Sequence, residues 1–147
     1  MVAFGSKTSG RDLPTLEPVR GRGLPWWWLY ESRCTVCGAH WLIAQEERFN
    51  DIFVLKRLST AETEQIEQLG VWPTYFDRYE TLLRLGAEAG HHARFMNPQE
   101  DTLQRITQTL LYDRPSISLA EVGDLLNLSP GEAGWLLEAA RSNPGIH

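Results

Sequence analysis

Cys34 and Cys37, two residues apart and followed by Gly38, are the residues whose type and spacing point most directly to chemistry. A Cys-x-x-Cys-Gly turn between strands has the shape of half a structural zinc site, because two thiolates on one tight turn reach the same tetrahedral ion. Such a site needs four ligands. His40 can supply a third from the same turn, and His91 or His92 a fourth if the later chain folds back. No further cysteine occurs, so the second half of a four-cysteine site is missing. A turn held by two small residues without metal therefore ranks slightly ahead of one structural zinc ion, the single cofactor the sequence admits. A thioredoxin-like redox role ranks lower, since it wants the first cysteine at a helix N-terminus in a βαβ setting. The default role of His91-His92, which follow Gly90 at an expected helix end, is to complement the helix dipole.

Three other groups of residues can bind or react. Trp26, Trp27 and Trp28 are consecutive, so both faces of a strand would carry an indole. One face can enter a core; the other meets a helix, a partner or solvent, and aromatic side chains are enriched where partners bind. Residues 118–141 have helix-turn-helix proportions, but the second helix offers Gly131, Glu132, Gly134, Trp135 and Glu138, with Arg141 only at its end. A DNA reader would present Arg, Lys, Asn or Gln there, so packing or protein docking is the better expectation. Glu46, Glu47 and Asp51 could do acid–base work, although carboxylates beside Arg48 more often form a solvated surface. Gly-x-Ser-x-Gly, His-Glu-x-x-His and phosphate-cradling Gly-rich loops do not occur.

The elements that must position these residues follow from patterning. With 147 residues, 42% hydrophobic content and six Trp, the chain has material for one buried core. Residues 1–25 are rich in Gly, Ser, Pro and Arg without a sustained apolar period, and read as an irregular arm. Residues 26–147 read as a single domain, with a β subdomain over 26–58 and a helical subdomain over 59–147. The favoured reading of the first part is a three-stranded antiparallel meander: an aromatic strand over 26–33, a second over 39–49 that is apolar on both faces at its start but carries helix-forming residues over 44–48, and a third over 51–58. The cysteine turn joins the first two.

The helical part is punctuated by caps. Ser59/Glu62, Ser118/Glu121 and Ser129/Glu132 each have capping-box spacing, and Asn97-Pro98-Gln99-Glu100 combines an N-cap, a first-turn proline and a box carboxylate. Pro73 can open a helix carrying Phe76, Tyr79 and Leu83 on one face, with Glu80 and Arg84 paired and Gly90 at its end. Leu103, Ile106 and Leu110 form a stripe. Val122, Leu125 and Leu126 form another, as do Ala133, Leu136, Leu137 and Ala140. The expected fold is α+β: a small N-terminal antiparallel meander with a Cys-x-x-Cys-Gly knuckle, then about five helices ending in a helix-turn-helix-like pair.

Charge bears on partners. Residues 1–60 hold eight Lys/Arg against six Asp/Glu, and residues 61–147 six Arg against thirteen Asp/Glu. An acidic half repels phosphate and favours a basic partner, although mild acidity also serves solubility. Residues 1–10 lack an apolar leader core and no run is long enough to span a bilayer, so the expectation is a cytoplasmic, non-membrane protein. The reading that combines these features is a non-catalytic protein binder, most concretely a bacterial immunity-type inhibitor masking a basic toxin. Glu62, Glu64, Glu67, Asp77, Glu88, Glu100 and Asp101 would steer the encounter, and Trp26, Trp27, Trp28 or Trp135 would anchor it. A zinc-knuckle plus helix-turn-helix regulator of nucleic acid is the alternative, and an enzyme with an unrecognised site comes third.

Overall fold

The computed structural model describes residues 2–6, 15–46, 52–90, 92 and 101–143. Its five strands, β1 (Val2–Ser6), β2 (Leu16–Gly23), β3 (Trp27–Cys34), β4 (His40–Glu46) and β5 (Ile52–Arg57), form one antiparallel sheet in the order β1-β5-β4-β3-β2. The α-helices are α1 (Thr60–Glu64), α2 (Tyr79–Glu88), α3 (Asp101–Asp113), α4 (Leu119–Leu126) and α5 (Pro130–Ser142). The α+β class and the N-terminal meander are as expected. The chain forms two compact units, Met1–Asp77 and Arg78–His147, so the division falls nineteen residues later than the expected 58/59 boundary and leaves α1 with the sheet.

The expected three-stranded meander is β3-β4-β5, and two more strands flank it. The expectation of an irregular arm over 1–25 is corrected for 2–6 and 16–23, which are strands; residues 7–14 lie outside the described residues. β2 escapes a hydrophobic-pattern reading because it is an edge strand exposed along nearly its whole length. Its order comes from backbone pairing with β3, not from burial. Its glycines have a packing role. A Cβ on Gly23 would come within 2.9 Å of the Trp28 indole and one on Gly21 within 3.4 Å of the Tyr30 ring. The aromatic face of β3 thus lies across the bare edge of β2.

One face of the sheet carries Trp27, Leu29 and Glu31 on β3, Leu42, Ala44 and Glu46 on β4, and Val54 on β5, all buried. It is covered by residues 58–76. Trp27 donates its indole N–H to the Phe76 carbonyl at 2.8 Å, and Ile66 and Phe76 are themselves buried. Ser59 caps α1 with both halves of the capping box in place. The helix then widens into a π-helical turn, Gln65–Leu69, that ends on Gly70.

The expected helix from Pro73 is corrected. A single 3-10 turn, Thr74–Phe76, follows Pro73, and α2 starts only at Tyr79. Phe76 and Tyr79 are both buried but belong to different units. The Glu80–Arg84 pair is present at 2.7 Å, and Gly90, with φ +81°, follows the last turn of α2. In the second unit the stripes on α3, α4 and α5 are buried as read from the sequence. The Asn97–Glu100 cap lies outside the described residues.

Arg114, just past α3, holds this unit together electrostatically. Its guanidinium meets Glu80 of α2 at 3.1 Å and Glu121 of α4 at 2.6 Å. The α4 and α5 helices are joined by Asn127–Ser129, with Asn127 in the left-handed region at φ 52°.

Candidate functional site

The cysteine turn closes as a tight connection. The Cys34 amide donates to the Ala39 carbonyl at 2.8 Å and the Gly38 amide to the Cys34 carbonyl at 2.9 Å, and Gly38 takes φ +70°. Both cysteines are free, Cys34 half-buried and Cys37 exposed. The backbone N–H groups of Cys37 and Val36, then the Cys37 thiol, hydrogen-bond the Cys34 sulfur and hold its pKa below the ordinary thiol value. Two thiols therefore share one turn.

Sheet alternation sends His40 elsewhere. His40 pairs with Arg33 across β3 and β4, which puts it on the face that also carries Glu31, while Cys34 belongs to the opposite face. Its Nδ1 lies 2.8 Å from Oε1 of Glu31. The expectation that His40 joins the cysteines is thus corrected: its Nδ1 faces the Glu31 carboxylate, on the other side of the sheet from Cys34. Of the other proposed ligands, His92 is exposed and His91 lies outside the described residues.

Glu31 was not singled out by the sequence, and it is the most unusual side chain in the first unit. It is fully buried, directly after the four large residues Trp27–Tyr30 of β3. Its Oε1 faces His40, but Oε2 has no hydrogen-bond partner among the described residues. A buried carboxylate oxygen without a partner is costly. Glu67, on the π-helical turn, brings a third group. Ligand atoms of Glu31, His40 and Glu67 all lie within 4.8 Å of one another.

The backbone around this trio is built to hold it. The register of β2 slips by one residue between Pro18 and Arg20, a bulge that leaves Val19 unpaired and half-exposed. A one-residue slip reverses the facing of everything beyond it. Arg20 consequently stands opposite Glu31, and its guanidinium donates to the carbonyls of Ile66 at 3.3 Å and Glu67 at 2.8 Å. Those bonds tie the π-helical turn down over the sheet at the point where Glu67 projects. The signal in the sequence was a lone Glu amid Leu29, Tyr30 and Ser32, with a His diagonally across from it on the next strand, opposite Arg33. That His becomes informative only once the register is known.

The expected partner-binding residues are distributed as follows. Trp26 and Trp27 are core residues, 7% and 4% exposed, and cannot anchor a partner. Trp28 and Trp135 are each about half exposed. Glu64, Glu67, Asp77, Glu88 and Asp101 are exposed. Glu62 is half-buried and engaged: Tyr75 donates to its Oε1 at 2.6 Å and Ser59 to its Oε2, which keeps it well ionised. Glu100, Glu47 and Asp51 lie outside the described residues. Residues 58–77 contain Glu62, Glu64, Glu67 and Asp77 and no Lys or Arg. The same stretch exposes Leu69, Val71 and Tyr75.

In the helical unit a shallow groove of about 390 Å³ is lined by Ile117, Leu119, Gly134, Leu137, Glu138 and Arg141, among others. Among the described residues no helix is long and apolar enough to cross a membrane. Comparisons with protein families, with curated proteins and with solved structures found no match.

Proposed function

We propose that this is a non-catalytic, cytoplasmic protein-binding protein, most concretely a bacterial immunity-type inhibitor of a basic partner. The observation that carries the reading is the stretch 58–77, which contains four acids and no Lys or Arg and exposes Leu69, Val71 and Tyr75, with Lys56 lying 3.9 Å over the Tyr75 ring and Arg20 bonded to the Ile66 and Glu67 carbonyls as the cations beside it. A surface with apolar contact points among like charges suits a partner of opposite sign: the charges speed and orient the encounter, and the desolvated apolar groups slow dissociation. The first unit holds eight Lys/Arg and ten Asp/Glu, a balance of −2, and the second six and nine, a balance of −3, so the acidic excess is shared by both units and the stretch 58–77 stands out only by its lack of Lys and Arg along the sequence.

The test is surface-plasmon kinetics against the product of the adjacent gene at two salt concentrations. The expected result is association that slows with salt, and slows further in the double variant Glu64→Lys, Asp77→Lys. Absence of binding by that product, with both proteins folded, would overturn the inhibitor reading. The alternative, a zinc-knuckle plus helix-turn-helix regulator of nucleic acid, draws on the paired thiols at 34 and 37 and on the three-residue link between α4 and α5. It ranks second because α5 exposes Trp135 and Glu138, and Arg141 is the cation of its last turn.

A further inference from the structure

We propose that Glu31, His40 and Glu67 form a binding site for a divalent transition-metal ion that fastens the π-helical turn to the sheet. Two independent observations meet here. The first is convergence: one imidazole and two carboxylates from β3, β4 and the turn above them, with ligand atoms within 4.8 Å of one another. The second is the buried Oε2 of Glu31, which no donor among the described residues reaches. In a fully buried position that oxygen needs a cation or a proton, and a metal ion supplies the charge that His40 alone does not.

The donor set selects the ion. One nitrogen and two carboxylate oxygens, without sulfur, suit zinc, manganese or ferrous iron with water completing the shell. The 2.8 Å between His40 Nδ1 and Glu31 Oε1 is a hydrogen-bond distance, whereas two ligands on one tetrahedral ion with bonds of about 2.1 Å stand about 3.4 Å apart, so the metal takes the place of the shared proton and parts the pair by about 0.6 Å. Two ligands at that bond length stand at most about 4.2 Å apart, so closure of the site needs a small inward swing of one carboxylate. Glu67 is exposed and free to make it. Its backbone is already positioned, because Arg20 holds the Ile66 and Glu67 carbonyls. Glu67 sits on the π-helical turn, where its carboxylate comes within 4.8 Å of the Glu31 and His40 ligand atoms.

This site is separate from the cysteine turn, and the experiment must keep them apart. Tag-free full-length chain carrying Cys34→Ser and Cys37→Ser, stripped with chelator, is titrated with Zn²⁺ by calorimetry. The expected result is one ion per chain with a Kd of about 1 μM or tighter, a rise in melting temperature with Zn²⁺, and at least tenfold weaker binding in Glu67→Gln and in His40→Gln. Glu67 is exposed, so its variant should fold normally, which circular dichroism checks. Co²⁺ in the same chain should give weak visible bands, as nitrogen and oxygen ligands do, and Glu67→Gln should weaken them. No binding up to on the order of 1 mM, or binding that Glu67→Gln leaves unchanged, overturns the proposal and leaves Glu31–His40 as a structural pair. Because the partner assay uses Glu64 and Asp77, either reading can fail without the other.

Discussion

Trp27 and Trp28 are neighbours in sequence and opposites in energetics. Trp27 is buried and its indole N–H is bonded to the Phe76 carbonyl, so Trp27→Ala loses core packing and orphans a carbonyl; the expected cost is about 3–5 kcal/mol, read as a fall in the urea midpoint. Trp28 is half exposed with one side over Gly23, so Trp28→Ala should cost about 1 kcal/mol or less in the same measurement. Equal costs would mean that the alternation of β3 is misassigned. Cys34 offers a chemical readout. Amide N–H groups of Cys37 and Val36 favour its thiolate, so the pH at which iodoacetamide labels Cys34 should have a midpoint below that of an unstructured thiol. Unfolding in urea should abolish the difference, since it comes from turn geometry and not from local sequence.

The three capping boxes make the helices sensitive to acid. Ser118 backbone and side chain, then Arg114, bring Glu121 down from an ordinary value of 4.5 to about 2. The Ser129 hydroxyl and amide lower Glu132, and Tyr75 with Ser59 lowers Glu62. A carboxylate whose pKa is lower folded than unfolded adds stability that is complete above the unfolded value. That stability is lost as pH falls through the folded value. Melting temperature should therefore fall steadily from about pH 4.5 toward pH 2, and Ser118→Ala should flatten that acid limb while costing about 1 kcal/mol at neutral pH. An acid limb of unchanged slope in Ser118→Ala would show that Glu121 does not contribute to it. Arg114 ties three elements rather than one. Arg114→Met removes one partner of Glu80, which keeps Arg84, and one of Glu121, which keeps Ser118, and should cost about 1–2 kcal/mol in the denaturant midpoint, with its effect shrinking in Glu80→Gln.

The division at 77/78 makes a prediction about autonomy. The second unit has its own core, with Tyr79, Leu82, Leu103, Ile106, Leu110, Leu126 and Leu136 each at most 1% exposed, and its own ion-pair hub at Arg114. A fragment spanning 78–147 should therefore be helical and melt cooperatively, although a unit of that size has a thin stability margin. A non-cooperative melt of the fragment would mean that its core depends on the first unit. The corresponding cut at 58/59, suggested by the pattern of strands and helices alone, should fail for both pieces. It removes Ile66 and Phe76 from the sheet face they cover and strips the Trp27 indole of its acceptor.

Local signals were legible because their physics is local. Ser59, Ser118 and Ser129 each sit three residues before a Glu, and each box is formed, since a cap needs only one turn of helix to be satisfied. The stripes on α3, α4 and α5 and the three strands around the cysteine turn were readable for the same reason: burial repeats with the period of the element. Tertiary pairing decided the rest. β2 has no buried face to pattern, so only its ladder with β3 makes it a strand. The bulge at Val19, which puts Arg20 opposite Glu31, is a property of two strands in register and of neither alone. His40 stood beside the cysteines in sequence and was grouped with them, yet the alternation of β4 turned it to the other face and toward Glu31. Glu67 reached the same place from far along the chain, on a helical turn whose widening no propensity announces. Spacing along the chain fixes which residues share a turn. Which residues share a site depends on register and on the packing of one layer over another, and those are settled by the whole fold.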